Sequence, residues 1–220
     1  MINLKQQPVS PLNQSGFTII ESLVAIIVVA VLLAAISPVI VLSVATRVQA
    51  RRVELATDAA KSYIDGVRSG TLAAPPSIST DISQYSAPTT TGSLACNHNS
   101  YCSLPSTDLF CIAANGASCV NTNAKDLVIQ AFRYNSTSSD VNSGYTLGLR
   151  IYRADAFKSG ITLKASNNGT RQQQTFTGGS GLSSSQSPLV EVTTEISNSS
   201  TTFDNFCQRL KNSSNPKAGC

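Results

Sequence analysis

The sequence predicts an α+β protein in which one long N-terminal helix packs against an antiparallel sheet formed later in the chain. Three observations lead to this prediction: an uncharged apolar segment near the N-terminus, a helical apolar stripe that follows it, and several strand-like segments separated by turn-rich sequence. A helix followed by successive strands, without strand and helix alternation, is typical of the α+β class. The 220 residues, with a net charge of +4, suffice for one globular domain plus an extension.

The first element is the apolar segment from Ser22 to Thr46, which contains no charged residue. About 20 helical residues cross a bilayer core of about 30 Å, and a single segment in lipid satisfies its backbone only as a helix. We therefore predict a transmembrane helix over residues 17–46. A cleaved secretory signal peptide is the alternative, but its basic start, short apolar region and small-residue cleavage site do not match this sequence.

Two residues of this segment need a physical explanation. Glu21 places a carboxylate one turn into the apolar helix. A charge costs about 2.5–3.5 kcal/mol at the centre of a bilayer and less near its surface. Glu21 therefore either stays in contact with water or has a cationic partner. Pro38 removes one helical hydrogen bond, and we expect the helix to kink or loosen before it.

The residues around these positions resemble the class III leader of type IV pilins and pseudopilins. A polar leader over residues 1–16 ends in Gly16, and Phe17 and Glu21 follow in the sequence GFTIIE. The resemblance implies that a prepilin peptidase cuts between Gly16 and Phe17 and methylates the new N-terminus at Phe17. It also implies that Glu21 pairs with the terminal amine of a neighbouring subunit, and that Pro38 is the family's helix-loosening proline.

Within this family, residues 37–70 are similar to cyanobacterial pseudopilins of the hormogonium polysaccharide secretion group. The resemblance implies a minor subunit of a type IV pilus-like or related secretion apparatus that supports polysaccharide export and gliding motility. The partners it implies are a prepilin peptidase, other pilins or pseudopilins, the inner-membrane assembly platform and membrane lipid. We expect no cofactor. We also expect no nucleic-acid partner, because the basic residues are scattered and only Arg51 and Arg52 are adjacent.

Two observations about the orientation in the membrane disagree. Counting basic residues places the C-terminal side in the cytoplasm, because Lys5 precedes the span while Arg47, Arg51 and Arg52 follow it. All six cysteines lie on that same side, which indicates an oxidising compartment. We give the cysteines and the resemblance more weight. The prediction is a single-pass inner-membrane protein with a cytoplasmic N-terminus and its C-terminal part in the periplasm or at the cell surface, entering the filament on assembly.

Residues 47–70 are predicted to continue the helix as an amphipathic segment. Their apolar residues recur at the helical spacing of three and four and form one stripe: Ala56, Ala59, Ala60, Tyr63, Ile64 and Val67. Gly70 is the predicted end of the helix, with two prolines shortly beyond it. We expect the stripe to pack against the sheet.

Residues 71–125 are rich in Ser, Thr, Pro and Ala and are predicted to form an irregular loop held by disulfides. The four cysteines of this region allow three pairings, among which the sequence does not choose: Cys96, Cys102, Cys111 and Cys119. Residues 126–220 are predicted to form the antiparallel sheet, followed by a C-terminal loop closed by Cys207 and Cys220. The strand-like segments are Leu127–Tyr134, Tyr145–Arg153, Ile161–Ala165, Arg171–Phe176 and Leu189–Ile196.

Three other functions are alternatives to this interpretation. The cysteines of residues 96–119 together with His98 offer zinc ligands, although their spacing matches no common zinc pattern and we predict no metal. Catalysis is not expected, because His98 is the only histidine and no nucleophile or phosphate-binding motif accompanies it. An unprocessed single-span receptor or adhesin stays open, and it differs from a pseudopilin in keeping residues 1–16.

Overall fold

The computed structural model describes Gly16, residues 18–167, Thr170, Gln172 and residues 185–210. The chain divides into two compact units, Met1–Ala45 and Thr46–Cys220, here called the N-terminal unit and the head unit. The regular elements are helix α1 (Ile19–Ser69), strands β1 (Ser100–Tyr101), β2 (Leu109–Ile112), β3 (Leu127–Tyr134), β4 (Tyr145–Arg153) and β5 (Val190–Ile196), and helix α2 (Phe203–Leu210). Short 3-10 helices lie at Ile82–Gln84, Val141–Ser143 and Ala154–Phe157.

The sheet is an antiparallel meander whose five strands lie side by side in chain order. Its centre is the long pair of β3 and β4, which runs in register from Leu127 opposite Arg153 to Tyr134 opposite Thr146. Their bounds agree with the predicted strands, and β5 agrees within one residue. The predicted α+β architecture, a long apolar N-terminal helix with an antiparallel sheet, is confirmed.

One face of the sheet is covered by the C-terminal part of α1. The predicted stripe is confirmed, since five of its six residues are buried and Ile64 is partly buried. Alanine side chains on the stripe let the helix lie close to the strands. Tyr63 anchors the contact, because its ring packs edge-on against Phe110 at 5.0 Å and its hydroxyl lies 2.5 Å from that of Tyr101. Burial of this stripe holds the helix on the sheet.

Helix α1 ends where the sequence predicts. Gly70 follows the last helical residue with φ of 75°, a left-handed conformation that glycine adopts without steric cost. The Gly70 N–H donates to the Val67 carbonyl at 3.2 Å, and the Leu72 N–H donates to the Gly66 carbonyl at 3.0 Å. These bonds satisfy carbonyl groups that a helix end otherwise leaves without partners.

The opposite face of the sheet is covered by a second layer, formed largely by residues 71–125. The prediction that these residues form an irregular loop is partly wrong. Strands β1 and β2 lie in this region and extend the sheet. A second apolar cluster joins the four cysteines of the region to residues on this face of β3 and β4, including Val128 and Tyr152. Because both faces are covered, β3 and β4 are buried at nearly every position.

The disulfides of this layer select one of the three possible pairings. Cys96 pairs with Cys102, with Cα atoms 4.3 Å apart, and Cys111 pairs with Cys119, with Cα atoms 5.9 Å apart. Four of the proposed zinc ligands are therefore oxidised. No cluster able to hold a metal occurs among the described residues. Cys207, in α2, is also disulfide-bonded, and its predicted partner Cys220 lies outside the described residues.

One predicted strand is not part of the observed sheet, and another lies almost entirely outside the described residues. Ile161–Ala165 forms no strand, and that prediction is wrong. The segment instead covers the second layer, because Leu163 is buried there and the Lys164 carbonyl accepts a hydrogen bond from the Tyr152 hydroxyl at 2.7 Å. Apolar residues that pack across a sheet face give the same local pattern as a strand. Arg171–Phe176 lies outside the described residues, apart from Gln172.

Candidate functional site

Thr18 caps the first turn of α1. The backbone N–H of Glu21 donates to the Thr18 side-chain oxygen at 3.2 Å, and the Ser22 N–H donates to the Thr18 carbonyl at 3.1 Å. Thr18 and Glu21 have the spacing of a capping box, in which threonine accepts from the third helical residue. This cap fixes Glu21 at the third position of the helix. The cap was not predicted, although the Thr-x-x-Glu spacing is visible in the sequence.

The Glu21 carboxylate is exposed in the first turn of α1. A negative charge is favourable there, because the free N–H groups of a helix N-terminus carry partial positive charge. No cation of the described residues lies within ion-pair distance of it. Phe17, whose terminal amine the family resemblance pairs with this carboxylate in a neighbour, lies outside the described residues. The arrangement leaves Glu21 able to accept a cation from another molecule.

Gly16 precedes this turn and is exposed. A Cβ atom built at Gly16 meets no other atom within 4 Å. The surroundings of residue 16 in the described chain therefore give no steric reason for glycine at this position. The cleavage predicted after Gly16 stays a prediction.

The apolar part of α1 exposes its side chains all around the helix. Every residue from Ile19 to Ala45 is exposed, and the large apolar side chains among them are 50% to 86% accessible. Soluble monomers rarely expose an apolar surface of this size. Among the described helices, α1 alone is long and apolar enough to cross a bilayer, and this fits a single-pass membrane protein.

Pro38 lies within α1, and the helix continues on both sides of it. In lipid, freed backbone groups around such a proline are satisfied by neighbouring helices or local adjustment. The predicted kink or loosening before Pro38 stays a prediction.

The head unit contains a buried polar cluster that was not predicted. Gln130 and Arg150 lie directly opposite each other on β3 and β4. Arg150 donates to the Gln130 side chain at 3.2 Å and forms an ion pair with Glu191 at 3.4 Å, while Gln130 donates to Asp108 at 3.0 Å. Asp108 and Glu191 are far apart in the sequence. They meet at this cluster because the strand register brings them next to Gln130 and Arg150. Only knowledge of that register could have revealed the cluster.

The polar cluster attaches the second layer to the sheet. Both Gln130 and Arg150 donate to the carbonyl of Ser86, and Tyr85 donates to Asp108 at 3.1 Å. Burial, followed by the neighbouring Asp108 charge, raises the pKa of Tyr85 to about 12. The hydrogen bonds are internal to the fold, so the cluster acts as a structural anchor.

His98, the residue considered for zinc binding and catalysis, also serves the fold. Its Nδ1 atom accepts a hydrogen bond from the Ala113 N–H at 3.0 Å. The nearby Asp126 carboxylate accepts from the N–H groups of Ala114 and Val120 at 2.9 and 3.2 Å. Together these contacts position the loop closed by Cys111 and Cys119. His98 is thus engaged in the packing of the disulfide layer.

Comparison with known proteins gives one match. Residues 11–37 match the family model described as the prokaryotic N-terminal methylation motif. Neither the curated proteins nor the solved structures give a match. The matched segment contains the predicted cleavage position and Glu21, ends directly before Pro38 and does not reach the head unit. This chain therefore carries a prokaryotic N-terminal methylation motif at the start of a long apolar helix, which supports a type IV pilin-like protein.

Proposed function

We propose that this protein is a pseudopilin, a non-enzymatic minor subunit of a type IV pilus-like or related secretion apparatus. The observation that carries the proposal is the methylation motif of residues 11–37 at the start of a helix whose apolar surface is exposed from Ile19 to Ala45. The motif supports processing by a prepilin peptidase and assembly with other pilins. The exposed surface needs lipid before assembly and neighbouring helices after it.

Assembly in this proposal depends on charge compensation at the N-terminus. Cleavage between Gly16 and Phe17 exposes an α-amino group, which is methylated and remains a cation. The capped first turn holds Glu21 in place to pair with the amine of a neighbouring subunit. Such a pair is worth far more in a medium of low dielectric constant than at a wet surface, and an unpaired charge there is costly. An incoming subunit is therefore stabilised in one register.

Pro38 and the head unit complete the proposed role. A helix loosened at Pro38 adjusts its shape as the subunit leaves the bilayer for the filament. The disulfides support a head in the periplasm or at the cell surface, since disulfides persist in oxidising compartments. A finer role in polysaccharide export and gliding motility rests on the similarity of residues 37–70 to hormogonium polysaccharide secretion pseudopilins, above all pseudopilin B. The inner-membrane assembly platform is the further partner proposed.

The experiment that tests the proposal is the intact mass and N-terminal sequence of the protein recovered from membranes. In cells with an active prepilin peptidase we expect a chain that begins at N-methylated Phe17, and in cells without the enzyme a chain that keeps residues 1–16. The variant Gly16→Val should also keep the leader, because it removes the glycine after which the peptidase is proposed to cut. Open space around residue 16 means that the replacement leaves the described fold undisturbed.

A wild-type chain that keeps residues 1–16 despite an active peptidase contradicts the proposal. The unprocessed single-span receptor or adhesin then becomes the better interpretation.

A further inference from the structure

A groove of about 900 Å³ runs through the head unit beside α1. Its helix side is one stripe at helical spacing: Val48, Arg52, Leu55, Ala59 and Ser62. Side chains at the end of the sheet, including Ile112, Leu127 and Leu189, form the opposite wall. A volume of this size lies in the upper part of the range for small-molecule sites, which are concave and mostly apolar with a few polar groups.

Apolar side chains of the groove stay accessible although they belong to a folded unit. Val48 and Leu55 are each 44% exposed, while Leu127 and Leu189 behind them are almost fully buried. The helix is thus packed on the sheet at the core stripe, which includes Ala59, and leaves apolar surface uncovered at Val48 and Leu55. The uncovered apolar surface can accommodate an apolar ligand.

The rim of the groove is basic. Four basic side chains line it: Arg51, Arg52, Lys125 and Arg153. Asp58 is the single acid among the described residues that line the groove. Arg51 pairs with Glu54 at 2.7 Å, Arg153 pairs with Asp155, and Asp58 lies 3.9 Å from Lys61. Within the described part of the chain, Arg52 and Lys125 form no ion pair. Two cations are therefore left to attract an anion.

Arg52 is the better placed of the two, because it is only partly exposed and belongs to the stripe that faces the groove. Burial, and then the positive charge of Arg153, lower the pKa of Arg52, although Asp155 opposes this. A cation held under these conditions gains from an anion placed beside it.

We propose that this groove binds an anionic phospholipid of the membrane, with an acyl chain on the apolar wall and the phosphate at Arg52. A guanidinium group matches phosphate geometry with two parallel hydrogen bonds. From Arg52, where the phosphate binds, to Ser62 the stripe rises about 15 Å at 1.5 Å per residue, which matches the roughly 15 Å that the acyl chains of one leaflet span. Val48 also follows the predicted end of the span, Thr46, by only two residues.

Phospholipid binding also gives a reason for two of the three basic residues after the span. The groove residues Arg51 and Arg52 lie on the side where the charge rule for membrane proteins disfavours basic residues if the head unit is extracytoplasmic. Basic residues next to a membrane segment attract anionic lipid. The binding site itself requires neither cleavage of the leader nor assembly, so its test is independent of the proposed function.

The test uses the full chain purified in mild detergent and given an equimolar mixture of phosphatidylglycerol and phosphatidylcholine with identical acyl chains. Native mass spectrometry counts the lipids that remain bound. We expect one phosphatidylglycerol per chain, in preference to phosphatidylcholine. Arg52→Gln should lower phosphatidylglycerol retention about fivefold, the effect of one basic residue next to anionic lipid. The matched control Arg47→Gln, outside the groove, should leave retention unchanged. Leu55→Asp should lower retention of both lipids.

Three results overturn the proposal. Equal retention of the two lipids by the wild type shows that the groove does not recognise the anionic headgroup. Equal losses in Arg52→Gln and Arg47→Gln show attraction to the surface in general and no groove site. A wild-type dimer without bound lipid that is lost in Leu55→Asp shows that a second copy of the chain fills the groove. If Leu55→Asp lowers the unfolding temperature, the two arginine variants decide between lipid recognition and general attraction.

Discussion

The two units of this protein use apolar side chains in opposite ways. In the N-terminal unit, every described residue from Ile19 to Ala45 is exposed and the helix has no core of its own. In the head unit, apolar side chains form one cluster under α1 and a second cluster under the disulfide layer. Apolar burial is the main favourable term in folding, so the head unit supplies its own stability. The N-terminal unit depends on lipid or on neighbouring helices.

This difference assigns separate tasks to the two units. Changes in the N-terminal unit should alter membrane insertion, processing or assembly without changing the stability of the head. Changes in the head core should alter the free energy of unfolding without affecting insertion. The groove beside α1 is an exception within the head unit, because it leaves apolar surface accessible there.

The largest effect is expected from Glu21→Ala, which should abolish incorporation into the assembled complex while leaving the protein inserted. The physical reason is the loss of the carboxylate that compensates the terminal amine of a neighbour. Co-purification of the variant with the assembled complex measures this. Glu54→Ala, which removes an exposed glutamate of the same helix paired only with Arg51, should assemble normally. Normal co-purification of Glu21→Ala would contradict the role proposed for Glu21.

Removal of the Cys111–Cys119 disulfide should have the largest effect on the head. Cys111 in β2 and Cys119 are both buried, and their bond closes a short loop against the sheet. The double variant Cys111→Ser with Cys119→Ser should lower the free energy of unfolding by about 2–5 kcal/mol, measured by chemical denaturation. Ser118→Ala, next to the bond and without a thiol, is the control. An unchanged unfolding midpoint would show that the second layer does not need this disulfide.

Gly148→Ala should destabilise the head to a smaller extent. A Cβ atom at Gly148 would lie 2.3 Å from the ring of Phe132, so the ring must move within a packed layer. Overpacking of this kind costs about 1–3 kcal/mol. The unfolding temperature should fall, and adding Phe132→Leu should restore part of it. The matched control is Gly16→Ala in the N-terminal unit, where the new methyl group meets nothing and no change is expected.

The smallest effect is expected from Tyr63→Phe, which keeps the ring against Phe110 and removes one hydroxyl. That hydroxyl lies 2.5 Å from the Tyr101 hydroxyl, which itself donates to the Ala73 carbonyl. Loss of one such hydrogen bond costs about 0.5–1.5 kcal/mol, measured as a shift of the denaturation midpoint. Tyr134→Phe, at a half-buried position, is the control and should behave like the wild type. A loss of unfolding free energy above this range would mean that the substitution disturbs the packing of α1 on the sheet beyond this one hydrogen bond.

Local patterns were enough to predict several elements. The helical spacing of the Ala56 to Val67 stripe and the strand-like composition of β3, β4 and β5 are properties of neighbouring residues, and these elements agree with the structure. The segment Ile161–Ala165 shows the limit of such patterns, because its apolar residues cover a sheet face and do not join an edge. Strands β1 and β2 were missed because they are short and depend on pairing with one another and with β3.

For the site, the sequence alone determined the leader motif, the apolar helix and the unusual position of Glu21. A segment in lipid must satisfy its backbone within itself, so its structure follows from local sequence. Three features follow from the tertiary structure: the pairing of the cysteines, the buried contact of Gln130 with Arg150 and the basic groove beside α1. Each of these features joins residues that are distant along the chain. Their proximity follows from strand register and layer packing, which no local pattern encodes.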